Sequence, residues 1–165
     1  MDHTERYALP LLAPGQAQKE WFHNEALQRI DMLLSAVVEG LPQADPPADP
    51  VPGRCYLVSD GATGAWAGRE GTIAGYSQGG WRFVLATDGT RAMVRTSGEA
   101  IVRANGSWEC GVVRAQQLLV GGLPVVGSRQ PGVPLPDGGP VVDSQARAAI
   151  ANIVAALSAH GLVGA

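Results

Sequence analysis

Glu20, His23 and Glu25 lie within GQAQKEWFHNEAL, residues 15–27. Glu20 and His23 have the i, i+3 spacing by which a helix turns a carboxylate and an imidazole toward one metal ion. Carboxylate-bridged sites of that kind take Glu-x-x-His from two helices and further carboxylates from others. This chain has one such pair, and its other histidines, His3 and His160, stand near the two ends. Half of the ligand set is missing unless symmetry supplies it, so neither a metal nor another cofactor is expected. Continuing the 3-4 spacing backwards from Leu27 reaches His23, Glu20 and Gln16. The trio is then the polar end of a packing seam that Leu27, Ile30 and Leu34 continue. Carboxylates there suit a helix entry, and polar groups in a subunit seam fix register.

Other chemistries find less support. No serine stands beside an evident histidine partner. The Gly-rich runs SDGATG and GGW open no helix, so they make no phosphate cradle. Asp60, Asp88 and Asp137 each precede glycine, as in turns, and no spaced set of oxygens makes a calcium loop. The residues point to a protein that is not an enzyme. The aromatics of the central region offer a binding alternative. Trp66, Tyr76 and Trp81 are candidates for stacking on sugar rings of a host polysaccharide, with Trp66 the best placed for exposure between two turn signals. Their alternative role is to fill a thin core.

The elements that would position these groups follow from patterning. The chain has 165 residues, a net charge of −3, 16% charged residues, 22 glycines and 12 prolines. That balance gives no basic surface for nucleic acid, and no apolar run is long enough to span a membrane. The N-terminus has no signal-peptide core, so Cys55 and Cys110 are expected as free thiols. Residues 1–40 read as an apolar arm carrying Leu9, Leu11 and Leu12, followed by a helix over 16–39 that Gly40 and Pro42 end. Residues 41–53, with five prolines, read as an extended linker.

Residues 54–127 read as an antiparallel β-module of hairpins, because short β-rich runs alternate with turn signals such as SQGG, TDGT and ANGS. Within it Gly71…Gly80-Trp81 and Gly98…Ser107-Trp108 superpose at a period of 27. Residues 128–142 form a Pro/Gly connector. Residues 143–165 form a last helix, with Asp143 as N-cap, Gly161 past its end, and Ile150, Ile153 and Leu157 along one side. That helix associates with copies of itself or docks on its own chain. The fold class is therefore α+β.

LPLLAPGQAQKEWFHNEAL together with GRCYLVSDGATGAWAGREGTIAGYSQGGWRF resembles an uncharacterised domain family encoded among structural genes of alphaproteobacterial phages, prophages and gene transfer agents. The tail, VVGSRQPGVPLPDGGPVVDSQARAAIANIVAALSAHGL, resembles the terminal segment of many phage fibre proteins. The resemblance implies a particle component, a head spike, spike base or fibre subunit, assembled in the bacterial cytoplasm. Its partners would be copies of itself, other capsid, spike or tail proteins, and on the binding alternative host surface polysaccharide. Ile-rich seams lean toward a trimer, and a base on a capsid fivefold axis toward a pentamer. The assembly interface would run through Leu9, Leu11, Leu12, Glu20, His23, Leu27, Ile30, Leu34, Ile150, Ile153 and Leu157.

Overall fold

The computed structural model describes residues 3–12, 19–140 and 142–164, and Gln16 of the expected seam lies outside them. The fold is α+β. The chain divides into two compact units, one ending at Val112 and the other beginning at Val113.

The first unit opens with an arm that is not extended. Thr4 N–H donates to the Leu9 carbonyl at 3.0 Å, and His3 pairs antiparallel with Pro10 across a turn in which Ala8 takes φ 50°. Helix α1, Lys19–Leu33, follows. It ends well before Gly40 and Pro42, which corrects the expected helix over 16–39. Ser35 adopts φ 42°, and Val37–Val38 form strand β1, parallel to Met93–Val94 of β5, Arg91–Val94. These β-branched residues gain a ladder and full burial of Val38 by leaving the helix.

The expected linker is likewise not a free spacer. Beyond β1 the chain runs beside β2, Cys55–Leu57. Glu39 N–H donates to the Cys55 carbonyl at 2.9 Å, Gln43 N–H to Leu57 at 3.0 Å, and Ser59 N–H to Gln43 at 3.0 Å. Residues 37–43 therefore pair first with one sheet and then with the other. Glu39 reinforces the junction by accepting from Arg54 at 3.0 Å and Arg95 at 2.7 Å, each pair contributing at most about 1 kcal/mol at the surface.

The hairpins match the turn chemistry. Antiparallel strands β2, β3 (Thr72–Ser77) and β4 (Gly80–Leu85) make a three-stranded sheet. Strands β5, β6 (Ala100–Ala104) and β7 (Ser107–Cys110) join β1 in the order β1-β5-β6-β7. The period of 27 is structural, since Tyr76 pairs with Trp81 and Arg103 with Trp108 in identical registers. Asn105 and Gly106 both take positive φ, the geometry of a type I′ turn. Alternation along β2 divides the core. Cys55 and Leu57 face one cluster with Val38, Ile73 and Ile101, while Tyr56 and Val58 face another around Trp66.

The second unit holds the hairpin of β8, Leu118–Val120, and β9, Leu123–Val126, turned by Gly121 and Gly122 at positive φ. That hairpin was expected within the β-module. Helix α2, Ser144–Ala159, has the expected N-cap, with Asp143 accepting from Ala146 N–H at 2.9 Å, and Gly161 at φ 73° beyond its end. Its return segment pairs Val163 with Gln130.

Two outcomes test the first core. A Cβ on Gly75 would lie 2.7–2.8 Å from Met32 Sδ, Cε and Cγ, because α1 rests on β3 through that glycine. Gly75→Ala should destabilise the protein by about 1–3 kcal/mol in urea titration. Combining it with Met32→Ala should cost less than the two single losses added. Burial pushes the Cys55 thiol from 9.0 up to about 11. Below pH 9 both states keep the proton. Between about 9 and 11 only the unfolded chain releases it, so stability falls as pH rises through that window. The urea midpoint of Cys55→Ala should lack that part of the alkaline decline.

Candidate functional site

Helix α1 turns a polar face inward. Asp31, 2% exposed, accepts at Oδ1 from the Thr4 hydroxyl at 2.7 Å and from Tyr7 N–H at 2.8 Å, and at Oδ2 from Arg6 N–H at 3.0 Å. The Arg6 guanidinium donates to the carbonyls of Asp31, Met32 and Ser35 at 2.7–3.1 Å, capping the helix end. Further along the arm, the Asn24 carboxamide both accepts from Leu12 N–H at 2.9 Å and donates to the Leu12 carbonyl at 3.0 Å. On the neighbouring flank Glu25 accepts from Arg82 of β4 and from Arg29, each at 3.0 Å.

The apolar stripe is consequently left outside. Phe22, Ile30, Leu33 and Leu34 are exposed, and Leu27 is half-buried. Of the expected polar end of the seam, His23 is exposed beside this stripe and Glu20 is half-buried. In the arm, Leu9 and Leu11 are half-buried and Leu12 is exposed. Among the described residues no three His, Cys, Asp or Glu side chains gather as metal ligands would. In the second unit Ile150 and Ile153 are exposed and Leu157 is half-buried, so α2 also carries an outward ridge.

Of the expected sugar-stacking trio, Trp66 does not reach the surface. Trp66 is fully buried, which corrects the expectation that it stands exposed between turns. It sits in the one-turn 3-10 helix Gly64–Trp66, held by Thr63 N–H to Ala44 at 3.0 Å and Trp66 N–H to Thr63 at 2.9 Å. Its ring lies 5.1 Å from Trp81, nearly perpendicular, and 5.7 Å from Tyr56; Tyr76 lies 4.9 Å from Trp81. Trp81 and Tyr76 are half-buried, with Trp81 packed on these rings. The loop of residues 59–70 needs an anchor, and an indole edge-to-face on a second indole supplies one. The pair at the repeat position differs accordingly: Trp81 closes this aromatic cluster, whereas Trp108 packs on the other core under Arg103, 5.7 Å from its ring centroid.

Residues that sequence reasoning passed over are Thr4, Arg6, Asn24 and Asp31. The signal available was Asp31 itself, a charged residue on the side of α1 opposite Ile30 and Leu33. Trp66→Ala should cost about 3–5 kcal/mol of stability by chemical denaturation. A merely superficial Trp66 would leave the unfolding midpoint near that of the wild type.

No relative among curated proteins matches the sequence. The family described as "Protein of unknown function (DUF2793)" matches residues 23–109. That stretch runs from the outward face of α1 through both sheets to β7 and takes in more than half of the chain. The chain belongs to this family of unknown function.

Proposed function

We propose that the chain is a non-enzymatic, homo-oligomeric structural subunit of a phage-like or gene-transfer-agent particle, as a head spike, spike base or fibre subunit. The observation that carries the reading is the composition of the second unit. From Val113 onward Val163 is the one buried hydrophobic side chain among the described residues, while Val113, Leu119, Leu123, Val125, Ile150 and Ile153 are exposed. An isolated two-stranded hairpin is marginal in water, and so is an isolated helix of this length. Such a unit gains its stability on association. Ala146, Ile150, Ile153 and Leu157 repeat at 4-3-4 along α2, the spacing of a coiled-coil seam, with isoleucines that favour three strands over two. The likeness of the tail to phage fibre termini supplies the particle setting. Other capsid, spike or tail proteins would be its neighbours, with the assembled particle as its location.

The host-polysaccharide alternative loses its central residue with the burial of Trp66, and assembly remains the reading with an open surface behind it. Native mass measurement at micromolar concentration should give a closed oligomer, a trimer on the seam argument. Ile153→Asp should shift it toward monomer. A stable wild-type monomer would overturn self-association. Failure to find the chain in purified particles by mass spectrometry would overturn the particle setting.

A further inference from the structure

A cleft of about 310 Å³ opens in the first unit between α1, the arm at Leu11 and the β3–β4 turn. Its size is at the small end of ligand sites, which run ~300–1,000 Å³. Trp21 stands at its side 66% exposed, with Phe22 packed edge-on at 5.1 Å. Gln28 also lines it and is 6% exposed, yet its carboxamide has no hydrogen-bond partner among the described residues. The cleft's charges, Glu25 and Arg82, neutralise each other at 3.0 Å, so it favours an uncharged ligand that offers a donor and an acceptor together.

The molecule already displays such a ligand one helical turn away. Asn24 holds both the N–H and the C=O of one residue of the arm, Leu12. Four residues along a helix rise about 6 Å, and two residues of polyproline II rise about 6.2 Å. Gln28 therefore repeats the Asn24 clamp at the step on which extended peptide presents its backbone groups. Exposed Trp21 adds the flat aromatic face on which proline rings of such peptides pack.

We infer that this cleft binds an extended, proline-containing peptide, and that its occupant is the Pro131–Pro136 segment of a second copy. That segment reads PGVPLP, with Pro131 and Pro134 at the three-residue period of polyproline II. Every residue of it is exposed and outside regular structure. Among the described residues the Gln28 carboxamide has no hydrogen-bond partner and the segment is exposed, and docking between copies would satisfy both. The inference rests on the reading that copies associate.

The test uses the full chain carrying Pro131→Asp and Pro134→Asp, which frees the cleft from neighbouring segments, and a synthetic peptide of wild-type residues 128–139. Calorimetry and Trp emission should show binding at micromolar Kd. Trp21→Ala or Gln28→Ala in the same chain should weaken it by about tenfold, and both positions are open to substitution without breaking a hydrogen bond. Absence of binding at millimolar peptide would overturn the inference. So would binding indifferent to Trp21→Ala, or binding of neutral oligosaccharides in place of the peptide. Native mass of the wild-type chain reads association independently, so an oligomer whose cleft ignores the peptide refutes this site alone.

Discussion

The carboxylate of Asp31 decides which face of α1 turns inward. Burying an ionised carboxylate costs several kcal/mol unless hydrogen bonds replace its water. Here the Thr4 hydroxyl and the backbone N–H groups of Arg6 and Tyr7 do so. The same turn sends the Arg6 guanidinium onto the last carbonyls of the helix, where a cation also complements the dipole. Once Asp31 is committed, the rotation of α1 about its axis is fixed. Gln28 and Met32 follow it inward, and Phe22, Ile30 and Leu33 point away. The outward apolar stripe is therefore a consequence of a polar contact, and the arm is the part that enforces it.

This explains what could be read in the sequence and what could not. The hairpins were legible because each turn carries its own chemistry, as at Asn105-Gly106, and because the period of 27 fixes one register for both copies. The caps of α2 were legible for the same local reason. Strand β1 was not, since its partner β5 lies far downstream and its two valines also continue the helical period. Nor was the Asp31 network, in which two of three donors are backbone N–H groups that leave no mark in residue type. Trp66 was misjudged because turn signals on both sides describe its loop, while Tyr56 and Trp81, which bury it, come from other strands. The positions of the candidate assembly stripe were legible from spacing alone; its exposure depended on the unseen carboxylate.

The two units solve the burial problem differently. In the first, β2 is covered on both faces, and the segment 37–43 pairs with both sheets, so hydrophobic area and backbone hydrogen bonds close together. In the second, local signals are complete and tertiary burial is nearly absent: α2 is capped at each end yet buries no residue. Agreement between local propensity and global packing marks a sequence that folds alone. Among its described residues the second unit has the first and little of the second, which is what the proposed association rests on.

The hairpin constrains the form that the proposed association would take. Exposed strands recruit further strands without limit unless their edges are blunted. Pro124 of β9 faces Leu119 across the ribbon and has no N–H to donate, and the ladder shifts register between Leu118 and Leu119. An interrupted ladder is a poor template for open-ended strand addition. On the proposed self-association, contact would fall to side-chain faces, among them the exposed Ile150–Ile153 ridge of α2. Helical seams of that kind close after a few copies, because a rotation that returns to its start leaves no free surface to extend.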